Sequence, residues 1–153
     1  MEKIRIQQNA LAFLHRVLSE TGVVDRKEAR KQSTAFKCMM PAVDAFNKEL
    51  SEIRMKWRKE KVTKDNNGNE NISYYIKDED KEAFSKEMGD CEDKIVEIEF
   101  DKESLSVVTV AFDGLFARQT EEKNAGRSNG LTGEATMKVC DQIETAFAGA
   151  TQA

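Results

Sequence analysis

Phe36, Val43, Leu50 and Trp57 recur every seven residues, and Met39, Phe46 and Ile53 each follow three residues behind. An apolar spacing averaging 3.5 keeps these side chains on one stripe of a helix, and such a stripe has to be covered lengthwise by another helix. The covering helix is foreshadowed downstream. Phe84, Met88, Cys91 and Ile95 repeat at four, three and four, Asp78 is placed to cap, and acidic residues fill the first turn. Two seams joined by a short insert predict an antiparallel helical hairpin over about residues 25–95. Asp25 and Glu28 have capping-box spacing at its start. Pro41, inside the first seam, removes one backbone donor and predicts a kink or break near Cys38–Pro41.

The insert, "KVTKDNNGNENISYYIKDEDKEAF", has no helical period. "KVTK" and "NISYYI" are β-prone, and Asn67-Gly68 between them is a strong hairpin signal. A β-hairpin is therefore expected at the tip of the helical pair. Strand alternation puts Ile72, Tyr74 and Ile76 on one face, expected to lean on the helices. Ser73, Tyr75 and Lys77 take the other face, which has little chain left to cover it. A tyrosine held out beside charge suits a binding hot spot.

At the chain's start, "EKIRI" alternates Ile4 and Ile6 with Lys3 and Arg5. "KIVEIEFD" alternates Val96, Ile98 and Phe100 with Glu97, Glu99 and Asp101. One polar face is basic and the other acidic, so the two strands are expected to pair. Leu11, Leu14 and Leu18 mark a helix with Asn9 as its expected N-cap and Gly22 as its left-handed end. Residues 104–116 are rich in β-branched side chains, yet Leu105, Val108, Phe112 and Leu115 have helical spacing, and length favours helix. "NAGRSNGLTG" reads as a loop, and Thr132 as the cap of a last helix with Cys140, Ile143 and Phe147 inward. The resulting fold class is mainly α, of the α+β type, in one domain spanning 1–153. Its base, residues 1–24 and 96–148, holds a small sheet and packed helices.

Composition agrees with large exposed helical faces: 39% of residues are hydrophobic and 34% charged. No apolar run approaches the ~20 residues of a membrane span, and the first residues lack the order of a secretory signal. Three dispersed cysteines suggest reduced thiols and a cytoplasmic setting. The net charge of −4 conceals polarity, because residues 1–64 hold 15 basic against 8 acidic side chains and the remainder 9 against 20.

The chain carries no recognisable catalytic motif. His15 is the only histidine and lies beside an apolar stripe with no orienting carboxylate at telling spacing. Cys38, Cys91 and Cys140 lack the paired spacing of a zinc site and read as small buried hydrophobes. Gly126, Gly130 and Gly133 lack the Lys-Ser/Thr of a phosphate loop. No metal, cofactor or enzymatic activity is therefore expected. Two basic clusters remain. "RMKWRKEKVTK" surrounds Trp57 with six cations, which the acidic second helix is expected to neutralise. Arg26, Lys27, Arg30 and Lys31 crowd a helix start, where positive charge opposes the helix dipole, so they join Tyr75 and Lys77 as candidate partner-binding residues.

The order of "KIRIQQNALAFLHRVL", "DRKEARKQSTAF", "KDNNGNENISYYIKDEDKEAFSKEM" and "LTGEATMKVCDQIETAF" resembles that of small bacteriophage-encoded accessory proteins of undescribed function, some found among tail genes. The likeness is one of arrangement and brings no catalytic residues. It implies an accessory protein acting by contact with another protein, such as an inhibitor of a host defence protein. Alternatives are a phage tail structural or assembly factor, and a nucleic-acid binder using the basic N-terminal half.

Overall fold

The computed structural model describes residues 1–23, 25–124 and 134–150. The fold is mainly helical, with small antiparallel two-stranded sheets. In chain order it runs β1 (Glu2–Gln7), α1 (Gln8–Glu20), α2 (Arg26–Trp57), β2 (Arg58–Lys64), β3 (Glu70–Ile76), α3 (Lys81–Asp93), β4 (Ile95–Phe100), α4 (Lys102–Asn124) and α5 (Glu134–Ala150). The chain divides into two compact units, one of residues 1–44 and 93–153 and the other of residues 45–92.

The first unit is organised by the pairing of β1 with β4. They run antiparallel with Ile4 opposite Ile98 and Lys3 opposite Glu99. Alternation buries Ile4, Ile6, Ile98 and Phe100 and leaves the charged residues outward. There Lys3 Nζ reaches Glu97 at 3.2 Å and Glu99 at 3.3 Å. Those carboxylates, Glu97 first, raise the Lys3 pKa, but all three side chains are solvated, and exposed ion pairs contribute little. Register therefore rests on the buried face, because a slip of one residue would turn every isoleucine outward. The core closes over that face with Leu11, Leu14 and Leu18 of α1, Met39 and Val43 of α2, Val108 and Phe112 of α4, and Ile143 of α5. Phe112 and Phe147 meet edge to face at 5.9 Å.

Several local expectations are corrected here. Helix α1 starts two residues earlier, with Gln7 rather than Asn9 at the cap. It ends without a left-handed glycine, since Thr21 at its C-cap is extended and Gly68 alone among the described residues has positive φ. The last carbonyls find other donors: Thr21 Oγ1 donates to Val17 O (2.8 Å). Gln32 Nε2 of α2 donates to both Leu18 O (2.7 Å) and Thr21 O (3.1 Å). With the carbonyls satisfied this way, no left-handed turn is needed.

Asp25 accepts from the Glu28 amide at 2.9 Å, the cap half of the expected box. Helix α2 then passes through Pro41 unbroken. Pro41 lies on the exposed side, where water can satisfy the carbonyl that its missing N–H leaves unpaired. Residues 104–116 are helical within α4. That helix is capped by Asp101, whose Oδ1 accepts from the Ser104 amide at 2.7 Å. This bond, more than any other contact, holds the Asp101 carboxyl below the usual carboxylate range. The expected loop glycines Gly126, Gly130 and Gly133, and the expected cap Thr132, lie outside the described residues.

In the second unit the seam of α2 continues with Phe46 and Ile53 buried, and Leu50 and Trp57 half-buried. Strand β2 starts at the residue after α2 ends. From β3 the chain returns through Lys77 and a single 3₁₀ turn (Asp78–Asp80) into α3. Cys91 of α3 is buried, with Phe84 and Met88 half-buried. Ile95, assigned to the same seam from its spacing, instead opens β4 and is exposed. The helix has ended by then, and alternation with buried Ile98 and Phe100 turns residue 95 outward.

Candidate binding surface

The hairpin of β2 and β3 is held by its turn. The Gly68 amide donates to Asp65 O (3.1 Å) and the Asp65 amide to Asn69 O (2.9 Å). Asp65 Oδ1 accepts from the amides of Asn67 and Asn69, each at 2.9 Å. With φ of +79° at Gly68 and no positive φ at Asn67, this is a type I turn closed by a glycine bulge, not a two-residue turn. Glycine is needed at residue 68 because a side chain there would be strained in the left-handed region. The turn sets the register, with Lys59 opposite Tyr75, Lys61 opposite Ser73 and Val62 opposite Ile72.

That register sorts the hairpin into two faces. One carries Arg58, Glu60, Val62, Ile72, Tyr74 and Ile76. The sequence placed the last three of these against the helices, but Ile72 is 56% and Tyr74 51% exposed, and Val62 55%. Of the expected trio only Ile76 is half-buried. Both strands are exposed along their length, with only Arg58 and Ile76 at the paired end half-buried. Tyr74 is covered in part by Arg58, whose guanidinium lies 4.0 Å from the ring centroid, a cation–π contact.

The opposite face carries Lys59, Lys61, Thr63, Asn71, Ser73 and Tyr75, with no carboxylate among them. Tyr75 is 47% exposed. Neither Lys59 nor Lys61 forms an ion pair among the described residues, and the same holds for Arg54, Arg58 and Lys64. The expected neutralisation of this cluster by α3 is thus confined to its root. There Lys56 Nζ meets Glu87 at 3.1 Å and the Trp57 indole N–H donates to Glu87 at 2.6 Å. The indole bond first, then Lys56, keep the Glu87 carboxyl below its ordinary value. Lys77, expected beside Tyr75 as a contact residue, is drawn to Glu79 at 3.8 Å.

The other four candidates belong to the first unit. Arg26, Lys27 and Arg30 are exposed and Lys31 half-exposed on the opening turns of α2. At about 100° per residue they fall within an arc of roughly 140°, and none pairs with a carboxylate among the described residues. His15 packs edge-on against Phe36 at 5.2 Å, half-buried. Burial pushes the Cys140 thiol above its ordinary pKa, with Asp141 and Glu144 adding to the effect, the opposite of what a nucleophilic thiolate needs. Among the described residues no group of His, Cys, Asp or Glu is placed to hold a metal ion, and no helix is long and apolar enough to cross a membrane.

The pairing of Lys59 and Lys61 with Tyr75 escaped the sequence reading, although the Asn-Gly turn and strand alternation together contain it. Comparison with known proteins found no protein family, no curated protein and no solved structure that matches the chain.

Proposed function

We propose that this chain is a non-enzymatic binding module that presents the β2–β3 hairpin at the tip of an antiparallel pair formed by α2 and α3. The Trp57–Glu87 bond supports that pairing by linking the end of α2 to the middle of α3. The observation that carries the functional reading is the Lys59, Lys61 and Tyr75 face. It is solvent-exposed, carries cations without internal counter-charges, and adds nothing to a core.

Maintaining such a face without a partner has no structural benefit, because a lone two-stranded hairpin is marginal in water. The chemistry it fits is an acidic protein surface offering carboxylates to the lysines and a flat contact to the tyrosine. The narrower reading, a phage-encoded inhibitor of a host defence protein, is supported by the likeness of arrangement alone.

The test is capture from bacterial lysate by the wild-type chain and by a Lys59→Glu, Lys61→Glu variant. Opposite these positions stand Tyr75 and Ser73, so the reversal creates no repulsion inside the hairpin. The reading requires an acidic protein that the wild type retains and the variant loses; equal capture by both refutes it. Nucleic acid is the second reading, favoured by the same cations around an aromatic. It would show as a DNA or RNA shift whose affinity falls steeply with salt. Virion proteins among the captured species would favour the tail-assembly alternative.

A further inference from the structure

We propose that the outer edge of β3 pairs antiparallel with the same edge of a second copy of this chain, joining two hairpins into one four-stranded sheet. The bonding pattern inside the hairpin supplies the first reason. The Asp65–Asn69 bond marks a hydrogen-bonded pair at the turn. Bonded and non-bonded pairs alternate along an antiparallel ladder, so Asn71, Ser73 and Tyr75 spend their amides on β2. The amides and carbonyls of Glu70, Ile72, Tyr74 and Ile76 point away from β2, along the open edge.

The second reason is self-complementarity. A two-fold axis at Ser73 sets Ile72 opposite Tyr74 of the second copy and Glu70 opposite its Ile76. These are the residues whose backbone groups face outward, and each pair can exchange both N–H···O bonds. Asn71 falls opposite the second copy's Tyr75, and Ser73 opposite its own counterpart. The ladder contains no pair of like charges. It also brings Ile72 and Tyr74, each more than half exposed in one copy, into a shared apolar strip.

The two edges of the hairpin differ. Strand β2, "RKEKVTK", carries Arg58, Lys59, Lys61 and Lys64. Paired with itself about Lys61, it would set Lys61 against Lys61 and Arg58 against Lys64, and opposed like charges disfavour pairing. Lysine on an edge strand is a common guard against such association. Strand β3, "ENISYYI", has neither lysine nor proline, and its only charge is at one end. An isologous pair through β3 therefore closes at two copies, with guarded edges outermost. Four strands also remedy the weakness of a lone hairpin. The proposal does not rest on the binding reading, since the Lys59, Lys61 and Tyr75 face stays open in such a sheet.

A seven-residue edge buries less than a standard interface of about 800 Å² per partner, so the association depends on concentration. Sedimentation equilibrium across a concentration series should show monomer passing to dimer. Ser73→Glu is the diagnostic variant: within its own hairpin it gains Lys61 as a cross-strand partner, while at the axis two glutamates oppose each other. Dimerisation should weaken about fivefold or more, and an equimolar mixture with Ser73→Lys should restore it. Residue-resolved hydrogen exchange should show the Ile72 and Tyr74 amides gaining protection with concentration, and the Ser73 and Tyr75 amides not. A wild type that stays monomeric to its solubility limit overturns the proposal. So does a dimer indifferent to Ser73→Glu, or one that leaves the Ile72 and Tyr74 amides unprotected.

Discussion

Val108 and Val110 are two residues apart in α4, and the chain treats them as opposites: Val108 is fully buried and Val110 is 66% exposed. Two residues span about 200° on a helix but share a face on a strand, so truncating each valine separates the two structures. Val108→Ala deletes two methyl groups from the core, worth about 1.6 kcal/mol at ~0.8 each, and leaves a cavity that adds to the loss. Alanine's better helix propensity returns up to about 0.7 kcal/mol. The net cost should be about 1–2 kcal/mol. Val110→Ala keeps the propensity gain and forfeits little burial, so stability should hold or rise by a few tenths of a kcal/mol.

For a chain of this size each kcal/mol moves Tm by about 2–4 °C, so Val108→Ala should melt about 2–8 °C lower and Val110→Ala no lower than wild type. Trp57, the only tryptophan, belongs to the other unit, so far-UV circular dichroism is the better probe. Equal losses from the two substitutions would refute the helix.

Gln32→Ala should cost about 1–2 kcal/mol by urea unfolding, because its amide supplies two bonds to the end of α1 at about 0.5–1.5 kcal/mol each; no loss would mean that water caps the helix equally well. Glu87 has its pKa lowered by Trp57 and then Lys56. Its contribution is therefore complete above the ordinary glutamate value and lost only as pH falls through the lowered one. Trp57 fluorescence should titrate below the ordinary 4.5, and Glu87→Gln should remove that step; a transition at or above the ordinary value would contradict the indole bond.

Much of this architecture is legible in the sequence wherever a buried face imposes a period. The alternation of Ile4 and Ile6 against Ile98 and Phe100, with complementary charges outside, specifies a strand pair almost a hundred residues apart. The α2 seam is equally readable, because its buried positions keep a seven-residue repeat. What the sequence hides is whatever depends on reach. Gly22 has the residue type of a left-handed cap, but whether one forms depended on Gln32 arriving from another helix. Ile95 continues a helical spacing, yet the chain had already turned into a strand. Ile72 and Tyr74 are apolar and alternate correctly, yet both are more than half exposed, because alternation sorts the faces of a strand without supplying a surface to cover either one. The binding candidates divide the same way: Tyr75 is exposed as its position in the strand implies, while Lys77 finds a carboxylate two residues along.

The claim that the hairpin is a contact surface and not scaffold is tested most directly at Tyr75. Binding of the captured partner should be measured by titration calorimetry for wild type and Tyr75→Ala, with thermal melting of both chains alongside. The account predicts binding weaker by about 1–3 kcal/mol, the range of a hot-spot aromatic, and an unchanged melting temperature. Unaltered binding, or a fall in melting temperature in its place, would contradict it.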